Sequence, residues 1–333
     1  MNNGFDPQFD EQEPVASLVD VRRERMTLGI PLLSLASIFL FASLAQVFLH
    51  LLFSLFLPAL VAASWYGTLL SALSLYGIAM PFSLLIYRMV PSCAPRRQRM
   101  SLPVFLGLFA IAIALTYVGN LVGILVNAVI GVITGEPVGN EFAESVSSSS
   151  LWENLLTVGI LAPIMEEIFF RKLMLDRIAH LGDVPAMLIS GIAFGLVHGN
   201  FSQFFYAAAV GILFGYIYLR TGRIRYTIAL HMCVNLLGGV WAPEMVKLLE
   251  KEAEELSFPL MLLQSPAGLL YLGYLLLVGL CFVGAIVAVV LLWRRIRFQG
   301  SQSPMTGKEW RSVLLFNPAT VLFLLVVLLL FLN

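Results

Sequence analysis

Two adjacent carboxylates, Glu166 and Glu167, stand in an apolar stretch, Ala162-Pro163-Ile164-Met165-Glu166-Glu167-Ile168-Phe169-Phe170-Arg171. A charge at the centre of a bilayer costs about 2.5–3.5 kcal/mol on insertion scales, so carboxylates in such a stretch need a purpose. Neighbours on a helix point about 100° apart, which gives the two glutamates different surroundings and different jobs. Glu167 and Arg171 are four apart, the spacing at which an acid and a base pair along one helical face, and structural support is the first reading of that pair. Glu166 is then left without a local counter-charge in a low-dielectric setting, which makes it the first candidate for a general base.

Two later apolar runs hold further polar groups, His198 in one and His231 with Asn235 in another. His231 and Asn235, four apart, share a helical face and offer an imidazole and an amide that could both donate toward one point. Hydrolysis of an amide by water needs a base, an acid for the leaving amine and donors for the carbonyl oxygen, and Glu166, His198, His231 and Asn235 supply those roles. Glu166, His198 and His231 are also an acceptable ligand set for a catalytic zinc, which keeps three protein ligands and an open position. The sequence has no H-E-x-x-H pair to present two such ligands on one helix. His50 reads as satisfying a neighbouring carbonyl and His180 as a loop residue.

Side chains with these roles must be held by helices that cross a membrane. Of 333 residues, 59% are hydrophobic and 12% charged, whereas roughly a quarter of a soluble chain carries charge. A hydrocarbon core of ~30 Å takes about 20 helical residues to cross. Apolar runs broken by Pro, Gly and charge predict nine spans near 29–57, 69–89, 103–134, 151–173, 184–199, 204–219, 225–241, 267–292 and 313–332. The expected fold class is all-α, a polytopic transmembrane helix bundle of eight or nine spans. Net charge is zero, so the composition points to the lipid bilayer and not to nucleic acid as partner.

Charge sorts the loops. Arg22, Arg23 and Arg25, then Arg96, Arg97 and Arg99, then Arg171, Lys172 and Arg177, then Arg220, Arg223 and Arg225, then Arg294 and Arg295 fall on one side, which the positive-inside rule makes cytoplasmic, the amino end with it. A multi-pass location in a bacterial plasma membrane is expected. Trp65, Trp152, Trp241, Trp293 and Trp310 fall at span ends, where amphipathic rings are favoured. Ser150 and Glu153 have the spacing of a capping box opening the fourth span. The expected division is a polar tail over 1–28, accessory spans over 29–149, a core over 150–241, an amphipathic outer segment over 242–266 and final spans over 267–333. The tail lacks a secretory cleavage pattern, and Cys93, Cys233 and Cys281 are too dispersed for a disulfide framework.

Counting 1.5 Å per residue places His231 about 10 Å from the cytoplasmic surface but His198 about 20 Å deep. The depths agree only if the fifth span is short or tilted, or if the linker after Arg177 dips inward. Glu166 falls between them, and an opening toward the cytoplasm is expected.

The order Glu166-Glu167-x-x-x-Arg171, Phe194-x-x-x-His198, His231-x-x-x-Asn235, with Gly211, Gly215 and the turn Leu219-Arg220-Thr221-Gly222 before His231, resembles the CPBP family of intramembrane proteases, which includes CAAX prenyl endopeptidases and bacteriocin-processing, Abi-like proteins. The resemblance covers roughly 150–240. It implies an endopeptidase acting on a hydrophobic, membrane-associated or lipidated peptide. In it, Glu166 with His198 activates water, His231 with Asn235 holds the oxyanion, Glu167, Arg171 and Phe194 support them, and no metal is obligatory. A non-catalytic scaffold or self-immunity protein of the same fold is the rival expectation, with a zinc-dependent protease beside it. A transporter would call for paired broken helices and internal repeats.

Overall fold

A computed structural model describes residues 20–253, 262–302 and 304–332, and these are helices and connecting segments without a strand. The principal helices are α1 Val21–Phe56, α2 Tyr66–Tyr87, α3 Leu102–Thr134, the short α4 Glu141–Ser148, α5 over 151–178, α6 Asp183–Leu196, α7 Phe201–Thr221, α8 Ile224–Glu252, α9 Pro266–Arg295, α10 Gly307–Leu315 and α11 Pro318–Leu332. The chain is therefore an all-α polytopic bundle.

Each of the nine expected segments is helical, yet only six described helices are long and apolar enough to cross a membrane alone, seven if α10 and α11, bent by 55°, make one span. The two that fall short are α5 and α6. α5 carries Glu153, Glu166, Glu167, Arg171, Lys172, Asp176 and Arg177, and α6, with 14 residues, reaches only about 21 Å at 1.5 Å per residue. The short fifth element is one of the conditions under which the two histidine depths agree, and His198 lies in the turn beyond α6 instead of within a span.

Two boundaries move. α1 starts at Val21 rather than 29, because the Asp20 side chain accepts from the Arg22 and Arg23 backbone N–H groups, both at 3.1 Å, and caps it. The rest of the expected tail lies outside the described residues. The expected outer amphipathic segment begins as a continuation of α8, since helix runs on through Ala253, and Leu256 lies outside the described residues. At the start of α5, Ser150 and Glu153 form the expected capping box. Trp65, Trp152, Trp241 and Trp293 are exposed at helix ends. His50 meets the Tyr66 hydroxyl at 2.9 Å instead of a carbonyl, and His180 pairs with Glu24 at 2.7 Å.

The site region is drawn together by close helix contact. A Cβ on Gly191 of α6 would lie 2.6 Å from the Ile212 backbone nitrogen of α7, and one on Gly119 of α3 would lie 2.4 Å from the Tyr206 Cα. Small residues let membrane helices approach backbone to backbone, where dispersion and not hydrophobicity drives association. α7 is thereby clamped between α3 and α6, and its first turn sits beside His198.

Candidate active site

Pro163 sets the local geometry of α5. The Ala162 N–H bonds to the Thr157 carbonyl, five residues back, in a π-helical stretch over Leu155–Leu161. In that register the Val158 carbonyl would meet residue 163, a proline with no N–H to give. Asn235 of α8 supplies the donor, with Nδ2 at 2.9 Å from the Val158 oxygen. One amide hydrogen of Asn235 is thus committed to ordering α5, and the other is left for the cavity.

One helical turn below, His231 stands between the two glutamates. Its Nδ1 lies 3.1 Å from Glu167 Oε1, and its Nε2 lies 3.6 Å from Glu166 Oε2. Adjacent carboxylates do point apart, as expected, but the imidazole is wide enough to meet one with each nitrogen. A carboxylate only accepts, so Nδ1 carries a proton and Nε2 faces Glu166. Glu167 Oε1 is also 3.1 Å from Arg171 Nη2, and both side chains are fully buried.

Arg171 is enclosed by rings. Its guanidinium carbon is 4.8 Å from the Phe194 centroid and 5.8 Å from that of Phe214, distances at which a cation is drawn to an aromatic face. Its Nε and Nη1 have no hydrogen-bond partner among the described residues, so Glu167 and these rings are what hold the charge. Phe194 also stands edge-on to both histidines, with centroids 5.0 Å from His198 and 5.6 Å from His231. His198 Nδ1 donates to the Phe194 carbonyl at 2.8 Å, which leaves Nε2 with its lone pair. Asn200 Nδ2 fixes the turn by donating to the His198 carbonyl at 2.8 Å.

Glu166, His198, His231, Asn235 and Phe194 all line one open cavity of about 510 Å³, while Glu167 and Arg171 lie behind it. Tyr76, Gln203 and Tyr206 are among the lining residues that had no signal in the sequence, the last two joined by a 2.9 Å hydrogen bond. A tyrosine or glutamine in an apolar helix is too common to single out, and the helix crossing alone brings them here. The cavity rises from Glu166 past Asn235 to Phe142 and Val146 of α4 and to Pro243. None of its lining residues belongs to the arginine-rich loops.

Among the described residues no group of three His, Cys, Asp or Glu side chains is placed to hold a metal ion. Glu166, His198 and His231 line one cavity.

Residues 148–237 match the family described as type II CAAX prenyl endopeptidase Rce1-like, a segment that contains all seven residues singled out above. The chain is also similar to the Bacillus subtilis (strain 168) protein named "Putative membrane peptidase YdiL", 34% identical over 82 residues, which are 24% of this chain and 34% of that protein. The match thus spans about a third of the length of that relative. No solved structure matches. These likenesses support a CPBP/CAAX-type protease segment over residues 148–237.

Proposed function

We propose, on the premise that residues 148–237 form a CPBP/CAAX-type protease core in a multi-pass membrane protein, that the chain is an intramembrane endopeptidase of glutamate type. It hydrolyses a peptide bond of a hydrophobic, membrane-associated or lipidated peptide. The observation that carries this reading is the pair of unlike carboxylates on one imidazole, one neutralised by Arg171 and sealed, the other facing an open cavity.

Glu166 takes a proton from water as the oxygen attacks the peptide carbonyl, and returns it to the leaving amine as the C–N bond breaks. His198 Nε2, its lone pair fixed by the bond from Nδ1, accepts the water's other hydrogen and orients it. The carbonyl oxygen gains its negative charge beside the free amide hydrogen of Asn235 and the imidazole of His231, whose Nδ1 is held to Glu167. Donors held in place before the charge appears are worth more than water, which must reorient. Glu167 acts through His231 as a positioning residue.

The charge pattern of the loops makes the arginine-rich side cytoplasmic, which gives the cavity an extracytoplasmic mouth. Peptide segments in the outer half of the bilayer, or leader peptides emerging there, suit that geometry better than cytoplasmic prenylated tails.

The test is cleavage of an internally quenched membrane-spanning peptide by purified full-length protein in H₂¹⁸O. One labelled oxygen in the new carboxylate is expected. If the protein is folded but cleaves no hydrophobic peptide, and its cellular role survives Glu166→Ala, the non-catalytic scaffold reading replaces this one.

A further inference from the structure

Toward the other end of α7 from that cavity lies a second, larger one of about 1040 Å³, formed where the starts of α1 and α6, the end of α7 and the segment 91–100 meet. We infer that it is a binding site for the phosphate of an anionic phospholipid, with arginines taking the headgroup and two methionines the start of an acyl chain.

Arg22, Arg23, Arg96, Arg177 and Arg220 line it. The acidic groups nearby are already engaged. Asp20 accepts two backbone N–H groups of α1, Asp176 is paired with Lys172 and the Tyr218 hydroxyl, and Asp183 with Arg220 and the Gln299 N–H. Arg177 is turned to the Tyr87 and Leu173 carbonyls. Arg22, Arg23 and Arg96 are exposed and form no ion pair among the described residues. The concave wall therefore carries three guanidinium groups that form no ion pair among the described residues, and their planar forks match phosphate oxygens.

The wall is also rigid. The Cys93 N–H donates to the Asp176 carbonyl at 2.6 Å and the Gln98 N–H to the Thr221 carbonyl at 2.7 Å, which pins the 91–100 segment from both sides. Charge alone would fit any phosphate compound. A lipid is favoured by the rim, where Met26 and Met89 line the same cavity and are 49% and 63% exposed. Arginine beside exposed apolar side chains, next to helices that enter a bilayer, fits a headgroup and the first methylenes of its chains.

The experiment compares melting temperature and titrated binding of full-length protein in detergent with phosphatidylglycerol, phosphatidylcholine and glycerol phosphate. Saturable stabilisation by phosphatidylglycerol alone is expected, with affinity reduced on the order of a hundredfold in Arg22→Gln/Arg23→Gln/Arg96→Gln, about fivefold per charge near a membrane surface. Those residues are exposed, so the variant should melt as wild type without lipid. Equal response to phosphatidylcholine, or undiminished binding by the triple variant, would overturn the site. Equal response to glycerol phosphate would overturn the lipid as source and leave a soluble phosphate ligand. Binding seen only after Asp6, Asp10, Glu11 and Glu13 are neutralised would overturn it in favour of the chain's own acidic start as occupant.

Discussion

The two sides of His231 are built on opposite principles. Behind it, Glu167 and Arg171 form an ion pair in which both charges are fully buried, with the rings of Phe194 and Phe214 over the guanidinium. In front, Glu166 is 22% exposed at its side chain and faces a cavity shared with His198 and Asn235. Adjacent residues of one helix thus occupy a sealed and an open environment. On the proposed function, the difference shows how one carboxylate could stay reactive: the costs of burying charge fall on a partner that does no chemistry, and that partner fixes the imidazole beside the reactive one.

The contrast breaks most sharply at Glu166. Glu166→Gln keeps size and polarity but removes the base, and peptide cleavage should fall by roughly 10²–10⁴-fold, with melting temperature little changed. Arg171→Met should act the other way round. It leaves Glu167 as an uncompensated buried charge and should cost about 3–5 kcal/mol in denaturant unfolding, whereas Glu167→Gln/Arg171→Met, which removes both charges, should recover most of that stability without recovering activity. Equal stability of single and double variants would show that the pair is not coupled.

Asn235 belongs to both sides. Asn235→Ala removes an oxyanion donor and leaves the Val158 carbonyl unmatched, so kcat should drop about 10²–10³-fold together with a loss of about 1–3 kcal/mol of stability. Gly191→Ala should leave the chemistry alone but force α6 from α7, at a cost of about 1–3 kcal/mol, read as a lower unfolding midpoint. The smallest effect is expected at the α4 wall of the cavity, where Phe142→Ala should raise KM a few-fold with kcat unchanged, since truncating a partly exposed apolar contact to substrate removes about 1 kcal/mol.

Much of this arrangement was legible in the chain because membranes simplify the reading. Polar residues in apolar runs are few, so Glu166, His198, His231 and Asn235 stood out, and the structure brings all four to one cavity. The Glu167–Arg171 pair was visible because it is local, four apart on one helix. What lay hidden depends on contacts between helices. The bond from His231 to Glu167 needs α8 packed on α5, and the debt that Pro163 leaves at Val158, met by Asn235, appears only once the wider helical register is known. Depth counted along each helix likewise ignores that α6 is short.

The most direct test is the cleavage rate of a hydrophobic peptide by purified Glu166→Gln and Glu167→Gln proteins, each measured with its unfolding midpoint. Glu166→Gln should be inactive and as stable as wild type, and Glu167→Gln destabilised with some activity remaining. Substantial cleavage by a fully folded Glu166→Gln protein would contradict the assignment of Glu166 as the group that activates water.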